Sequence, residues 1–71
     1  MQRETPHARL LAALREAAPA SLENVQADQF GLADLQQLLE VLQELRDQGL
    51  VDFRMVEYTG YDRVREIWML D

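Results

Sequence analysis

The segment that decides the fold runs from residue 32 to residue 49 and reads LADLQQLLEVLQELRDQG. Its leucines recur mostly three or four positions apart, which is the spacing of a helix with one buried stripe. They are Leu32, Leu35, Leu38, Leu39, Leu42 and Leu45. Asp34, with Gln37 three residues later, is typical of a capping box, and Gly49 followed by Leu50 is typical of a Schellman turn. We therefore predict a long amphipathic helix against which the rest of the chain packs.

The face of this helix opposite the leucines is acidic. At about 100° per residue, six polar side chains project there: Gln36, Gln37, Glu40, Gln43, Glu44 and Asp47. The carboxylates at 40, 44 and 47 stack along the surface, and like charges at such spacing cost about 0.2–0.5 kcal/mol per pair. A cationic partner would relieve this repulsion. The alternative is an ordinary solvated face.

Length and composition indicate one small domain. The chain has 71 residues, no cysteine and no lysine, and a formal net charge of −6. Without cysteine it forms no disulfide or thiolate metal site, and no apolar run approaches the roughly 18–20 residues of a membrane span. Residues 1–6 lack the apolar block of a signal peptide, so we expect a cytoplasmic protein with no membrane partner. We expect residues 1–71 to form one domain, with residues 1–5 as a flexible N-terminal arm.

The N-terminal part of the chain predicts two helices. Thr5-Pro6 supplies an N-cap and a first helical residue for a helix over 7–18. Ser21 can cap a short second helix over 22–29. Gly31 then provides a turn residue with positive φ before the long helix.

After the long helix the apolar residues alternate, which predicts a β-hairpin. We expect strands over 51–58 and 63–70, joined by a four-residue turn at 59–62. A two-residue turn at Thr59-Gly60 would require positive φ at a β-branched residue, and it would place Arg54 opposite Arg65. The four-residue turn instead pairs Phe53 with Trp68, Val51 with Leu70, and Tyr58 with Arg63.

This arrangement predicts both the core and an exposed apolar patch. The predicted core is Leu10, Leu11, Leu14, Leu22, Val25, Phe30, Leu32, Leu35, Leu38, Leu39, Leu42, Leu45, Leu50, Val51, Phe53, Trp68 and Leu70. The other face of the hairpin would expose Val56, Ile67 and Met69. Such a patch indicates an association surface, so we expect a homodimer. The alternative is that the first helix or the N-terminal arm covers it.

Leu38, Leu42 and Leu45 ahead of Gly49-Leu50-Val51, with a hairpin closing on Trp68-x-Leu70, resemble a winged helix-turn-helix domain. The resemblance implies an α+β fold, in which three helices are followed by a C-terminal two-stranded β-hairpin wing. It also implies that the long helix faces DNA bases and that the hairpin touches phosphates. The wing residues it assigns are Arg54, Tyr58, Tyr61, Arg63 and Arg65.

The residue inventory excludes most catalytic sites. His7 is the single histidine and Ser21 the single serine, and the glycines are too scattered for a phosphate-binding loop. We predict that His7 is a partly covered packing residue and that the protein has no metal, cofactor or enzymatic activity. The exposed face of the long helix carries no arginine or lysine to neutralise phosphates. We therefore expect a regulatory protein-interaction module that binds a basic protein surface. The alternative is a DNA-binding transcriptional regulator that uses the wing arginines.

Overall fold

The structure, a computed structural model, describes residues 5–70 except the side chain of Tyr58. Two α-helices and three strands follow one another in the order α1 (Pro6–Ala17), β1 (Leu22–Val25), α2 (Leu35–Asp47), β2 (Val51–Tyr58) and β3 (Tyr61–Met69). A single 3-10 turn at Ala27–Phe30 lies between β1 and α2. The strands form one antiparallel sheet in the order β1-β3-β2. Helix α1 packs on β1 and β3, and α2 packs on β2.

The chain is α+β, but the predicted arrangement of three helices and a two-stranded hairpin is wrong. The segment predicted as a second helix contains strand β1, in which Leu22 lies opposite Ile67 and Val25 opposite Val64. As a helix, this segment could bury only two apolar residues. As a strand, it forms backbone hydrogen bonds with the free edge of β3. Ser21 caps no helix, because its hydroxyl donates to Glu66 Oε2 at 3.2 Å.

Helix α1 begins where the sequence predicts. The Thr5 hydroxyl accepts the Ala8 N–H at 3.1 Å, and Pro6 occupies the first turn. Leu10 and Leu14 are its buried residues. Because Thr5 is the cap of a helix, it does not belong to the predicted flexible arm, and residues 1–4 of that arm lie outside the described residues.

Helix α2 has the predicted cap at each end. Asp34 Oδ1 accepts the Gln37 N–H at 3.0 Å, while Gln37 Oε1 accepts the N–H of Ala33 rather than that of Asp34. At the other end Gly49 has a φ of 76°, and the Leu50 N–H reaches the Leu45 carbonyl at 3.1 Å. This hydrogen bond, from the N–H of residue 50 back to the carbonyl of residue 45, is the 6→1 bond of a Schellman motif. The buried residues of the helix are Leu38, Val41, Leu42 and Leu45.

The hairpin turns over two residues, so the predicted four-residue turn and its register are wrong. Tyr58 pairs with Tyr61, and Thr59 and Gly60 both have positive φ, at 47° and 88°. On sequence grounds this turn is disfavoured, because it requires a positive φ at Thr59 and would set Arg54 against Arg65. The structure avoids that contact with a β-bulge at Arg65. The ladder pairs Arg54 with Glu66 and the next residue of β2 with Val64, so Arg65 has no partner on β2. Arg54 and Glu66 form an ion pair at 2.8 Å.

The bulge also reverses which side chains of β3 face the helices. Val64 and Ile67 are three residues apart, yet both are fully buried. Beyond the bulge Phe53 lies opposite Ile67, not Trp68, and Val51 lies opposite Met69, not Leu70. The bulge thus brings Ile67 into the core, which also contains Val64 and, on α2, Val41; none of these three was predicted to be buried. Trp68 is only half-buried, and Leu50 and Leu70 are exposed.

Candidate functional site

The exposed face of α2 carries the predicted partner-binding residues. All six are solvent-exposed: Gln36, Gln37, Glu40, Gln43, Glu44 and Asp47. Gln36, Glu40, Gln43 and Asp47 fall within an arc of about 60° on the side opposite the buried residues. We call these four residues the acidic stripe. Glu40 and Asp47 are two helical turns apart, which corresponds to about 10 Å along the helix axis.

The other two predicted residues are engaged within the protein. Gln37 closes the cap of α2 through its side-chain oxygen. A Glu44 carboxylate oxygen is in hydrogen-bond contact with His7 Nε2, and this contact joins α2 to the first turn of α1. His7 is partly covered, as predicted, but its acidic partner was missed because the two residues are 37 positions apart in the sequence. Both side chains therefore flank the acidic stripe and hold the helix in place.

The acidic stripe makes no ion pair within the described part of the chain. Within residues 5–70, Arg54 forms an ion pair with Glu66 and His7 contacts Glu44, and neither contact involves the stripe. Arg46, the one cation of α2, lies about 90° around the helix from the middle of the stripe, and its guanidinium stacks 4.9 Å from the centre of the Phe53 ring. Glu40 and Asp47 are thus exposed carboxylates without an ion-pair partner among these residues. Their charge is available to an external cation.

The predicted wing residues lie on the hairpin, where Arg54 and Arg65 have internal partners. Arg54 is paired with Glu66, and Arg65 Nη1 donates to Asn24 Oδ1 at 3.4 Å. Arg63 is half-buried and lies opposite Val56, so the predicted pairing of Arg63 with Tyr58 is wrong. A Tyr58–Arg63 side-chain contact lies outside what the structure describes.

A shallow depression of about 490 Å³ lies on this face of the sheet. It is lined by Asn24, Val56, Arg63 and Arg65. Tyr61 is exposed at the hairpin tip. The arginines of the hairpin therefore border a small polar region, and acidic side chains at Glu57 and Glu66 lie on the same hairpin.

The predicted apolar patch on the outer face of the hairpin does not form. Ile67 is fully buried and Met69 packs against the core, because the bulge turns both side chains toward the helices. Val56 alone of the three is exposed. The prediction that these three residues form an association surface is therefore wrong.

One cleft was not anticipated from the sequence. It has a volume of about 320 Å³ and lies between the start of α2 and the hairpin tip. Its lining residues are Val25, Gln26, Ala27, Leu35, Tyr61, Asp62, Arg63 and Val64. They come from separate segments that meet only in the folded chain, so no local sequence pattern marks them. Elsewhere in residues 5–70, no three histidine, cysteine or acidic side chains converge as metal ligands, and every buried residue is apolar.

Comparison of the chain with models of known protein families, with curated proteins and with solved structures found no match. Helices α1 and α2 have 12 and 13 residues, and no helix within residues 5–70 is long and apolar enough to cross a membrane.

Proposed function

We propose that this protein is a non-catalytic, cytoplasmic interaction module that binds a basic protein surface through the acidic stripe of α2, as part of a regulatory complex. The observation that supports this proposal is that Glu40 and Asp47 are exposed on one helix face without a cationic partner in residues 5–70. Opposite charge on a partner would remove the repulsion along the helix and add favourable contacts. No cofactor is required for this role.

The helix that carries the stripe is capped at both ends and anchored in the core, which favours binding. Its N-terminus is capped by Asp34 and its C-terminus by the Schellman turn at Gly49. Leu38, Leu42 and Leu45 anchor its opposite face in the core. A preorganised surface loses little conformational entropy when a partner docks, so more of the interaction free energy appears as affinity. The net charge of −6 would also steer a basic partner toward the protein.

The spacing of the stripe defines the partner that fits it. Glu40 and Asp47 would meet two cations about 10 Å apart, such as arginines seven residues apart on a helix. The amides of Gln36 and Gln43 lie on the same stripe and can both donate and accept hydrogen bonds. A helix with one basic face would therefore match both the charge and the length of the site.

The proposal is tested by binding of a labelled helical peptide with arginines seven residues apart, measured by fluorescence anisotropy. Glu40→Gln with Asp47→Asn should weaken binding by about tenfold, since exposed ion pairs contribute up to about 1 kcal/mol each. The matched control is Glu23→Gln with Glu57→Gln, which removes the same charge from exposed positions on the sheet. We expect the control to change affinity by less than about twofold, because those charges lie away from the stripe. Equal losses in both variants would mean that net charge alone binds the peptide and would contradict the proposal.

The alternative function, DNA binding through the hairpin, rests on the arginines of that element. Arg63 and Arg65 both line the sheet depression. A titration of duplex DNA over a range of salt concentrations separates the two functions, because phosphate contacts give a steep salt dependence. Binding that is steeply salt-dependent and is lost on Arg63→Ala with Arg65→Ala would favour the DNA-binding function. The resemblance to winged helix-turn-helix domains stays a prediction.

A further inference from the structure

Strand β2 forms a long open edge of the sheet. The strand order β1-β3-β2 leaves it without a neighbouring strand on its outer side within residues 5–70. In an antiparallel ladder, alternate residues direct their backbone groups to the same neighbour. The Leu50 carbonyl accepts the Leu70 N–H at 3.0 Å, so the even-numbered residues bond to β3. The N–H and carbonyl groups of Val51, Phe53 and Met55 therefore point to the open side.

The central N–H donor of this open edge is already hydrogen-bonded to a side chain. Asp52 Oδ1 accepts the N–H of Phe53 at 2.8 Å. Carboxylates and other charges on edge strands protect them from unwanted pairing. The opposite edge, β1, is protected differently, because it has only four residues and Asn24 interrupts its extended backbone with a φ of 52°. Strand β2 is thus the one long open edge of the described sheet, and the Asp52 carboxylate binds its central N–H.

The residues on either side of Phe53 are arranged so that the strand is complementary to a second, antiparallel copy of itself. Asp52 and Arg54 are oppositely charged and stand one position on either side of Phe53. Leu50 and Val56, three positions on either side, are two of the exposed large hydrophobic residues of the chain, at 36% and 37%. Both pairs project from the face of the sheet opposite the helices. A strand with this symmetry about its centre fits a two-fold copy of itself.

We propose that a second copy of this chain pairs with β2 in an antiparallel register centred on Phe53, joining two three-stranded sheets into one of six strands. In this register Asp52 lies opposite Arg54 of the second copy, and Leu50 lies opposite its Val56. The Phe53 N–H, which donates to Asp52 in the single chain, donates instead to the Phe53 carbonyl of the second copy. The Asp52 carboxylate can then pair with Arg54 of the second copy. Arg54 then lies between its own Glu66 and the Asp52 of the other copy.

Other symmetric registers are less favourable. Centring the pair on residue 54 places the two arginines directly opposite each other, and centring it on residue 52 does the same for the two aspartates. Like charges directly opposite on a sheet are destabilising. Centring it on Met55 sets Phe53 against Glu57. The Phe53 register is the one among these that pairs opposite charges.

Two charge-reversal variants test this dimer. Asp52→Arg alone, or Arg54→Asp alone, would place two like-charge pairs in its own homodimer and should raise the dissociation constant by at least about tenfold. When the two variants are mixed, the arginine introduced at position 52 of one chain meets the aspartate introduced at position 54 of the other. The second pair of the mixed dimer keeps the original Asp52 and Arg54. The mixture should therefore dimerise about as well as the unmodified protein.

The matched control is Glu16→Arg, which makes the same charge change as Asp52→Arg but places it at an exposed position of α1. Helix α1 packs on β1 and β3, away from the open edge of β2. The control should therefore leave dimerisation unchanged. A loss of dimer in this control equal to the loss in Asp52→Arg would show that net charge, rather than the β2 register, governs association, and would overturn the proposal.

The readout is the mass in solution across a concentration series, by sedimentation equilibrium. The monomer mass is 8.2 kDa, and the unmodified protein should approach twice this value with increasing concentration. Amide hydrogen exchange provides a second readout, because Val51, Phe53 and Met55 should become protected only when the dimer forms. Circular dichroism checks that each variant is folded. A mass that stays at that of the monomer would overturn the proposal, as would a dimer that leaves these amides unprotected or a mixture of variants that does not associate.

Discussion

Replacing Leu42 with alanine probes the packing on which α2 depends. Leu42 is fully buried near the middle of the helix, between the layers formed by Leu38 and Leu45. Truncating such a side chain costs the transfer free energy of the lost groups and leaves a cavity, for a total of about 3–4 kcal/mol. The total stability of a 71-residue domain is about 4–10 kcal/mol, so this one change removes a large share of it.

The assay is urea unfolding followed by the helical circular dichroism signal. The matched control is Leu39→Ala on the same helix, because Leu39 is only partly buried and should lose about 1–2 kcal/mol. Leu42→Ala should also lower the melting temperature by about 12–32 °C, since 1 kcal/mol corresponds to about 4–8 °C in a domain of this size. A loss for Leu42→Ala that is no greater than the loss for Leu39→Ala would refute the assignment of the core.

Further predictions concern the caps and the hairpin turn, all measured by urea unfolding. Thr59→Asn should stabilise the protein by about 0.5–1 kcal/mol, because asparagine tolerates the positive φ of this turn better than a β-branched residue; destabilisation would contradict the two-residue turn. Gly49→Ala should cost about 1–2 kcal/mol through backbone strain alone, since a Cβ there would meet nothing within 4 Å. An unchanged stability would argue against its left-handed conformation. Asp34→Ala should cost about 1 kcal/mol by leaving the Gln37 N–H without its acceptor, and an Asp34→Asn variant should retain most of that stability.

The parts of the fold that could be predicted are those encoded locally. The leucine period of α2 and its caps at Asp34 and Gly49 lie within one stretch of chain, and each local signal agrees with the others. The same holds for the start of α1 at Thr5 and Pro6. The exposure of the acidic stripe follows directly from the position of the buried leucines on the same helix.

The parts that could not be predicted depend on pairing between distant segments. Strand β1 forms because β3, which lies far along the chain, offers hydrogen bonds that a short and weakly amphipathic helix cannot match. The bulge at Arg65 removes one like-charge contact and in doing so exchanges Trp68 for Ile67 in the core. A shift of one residue reverses every side chain beyond it, so this single irregularity also abolished the predicted apolar patch.

The candidate functional residues and their contacts divide in the same way, into those encoded locally and those that depend on distant segments. The stripe on α2 is a property of one helix and was found from its sequence. The contact of His7 with Glu44 and the bond from Phe53 to Asp52 require coordinates, because they depend on the docking of α1 and on the direction of each backbone group in β2.

The most direct test of the acidic stripe is to titrate the protein with the arginine-bearing helical peptide and follow the amide resonances by NMR. Residues 36, 40, 43 and 47 and their immediate neighbours on α2 should shift most, with β1 and the hairpin tip little affected. The side-chain amides of Gln36 and Gln43 should shift along with them. Shifts concentrated on the hairpin around Arg63 and Arg65, with α2 unchanged, would contradict the proposal that α2 is the binding surface.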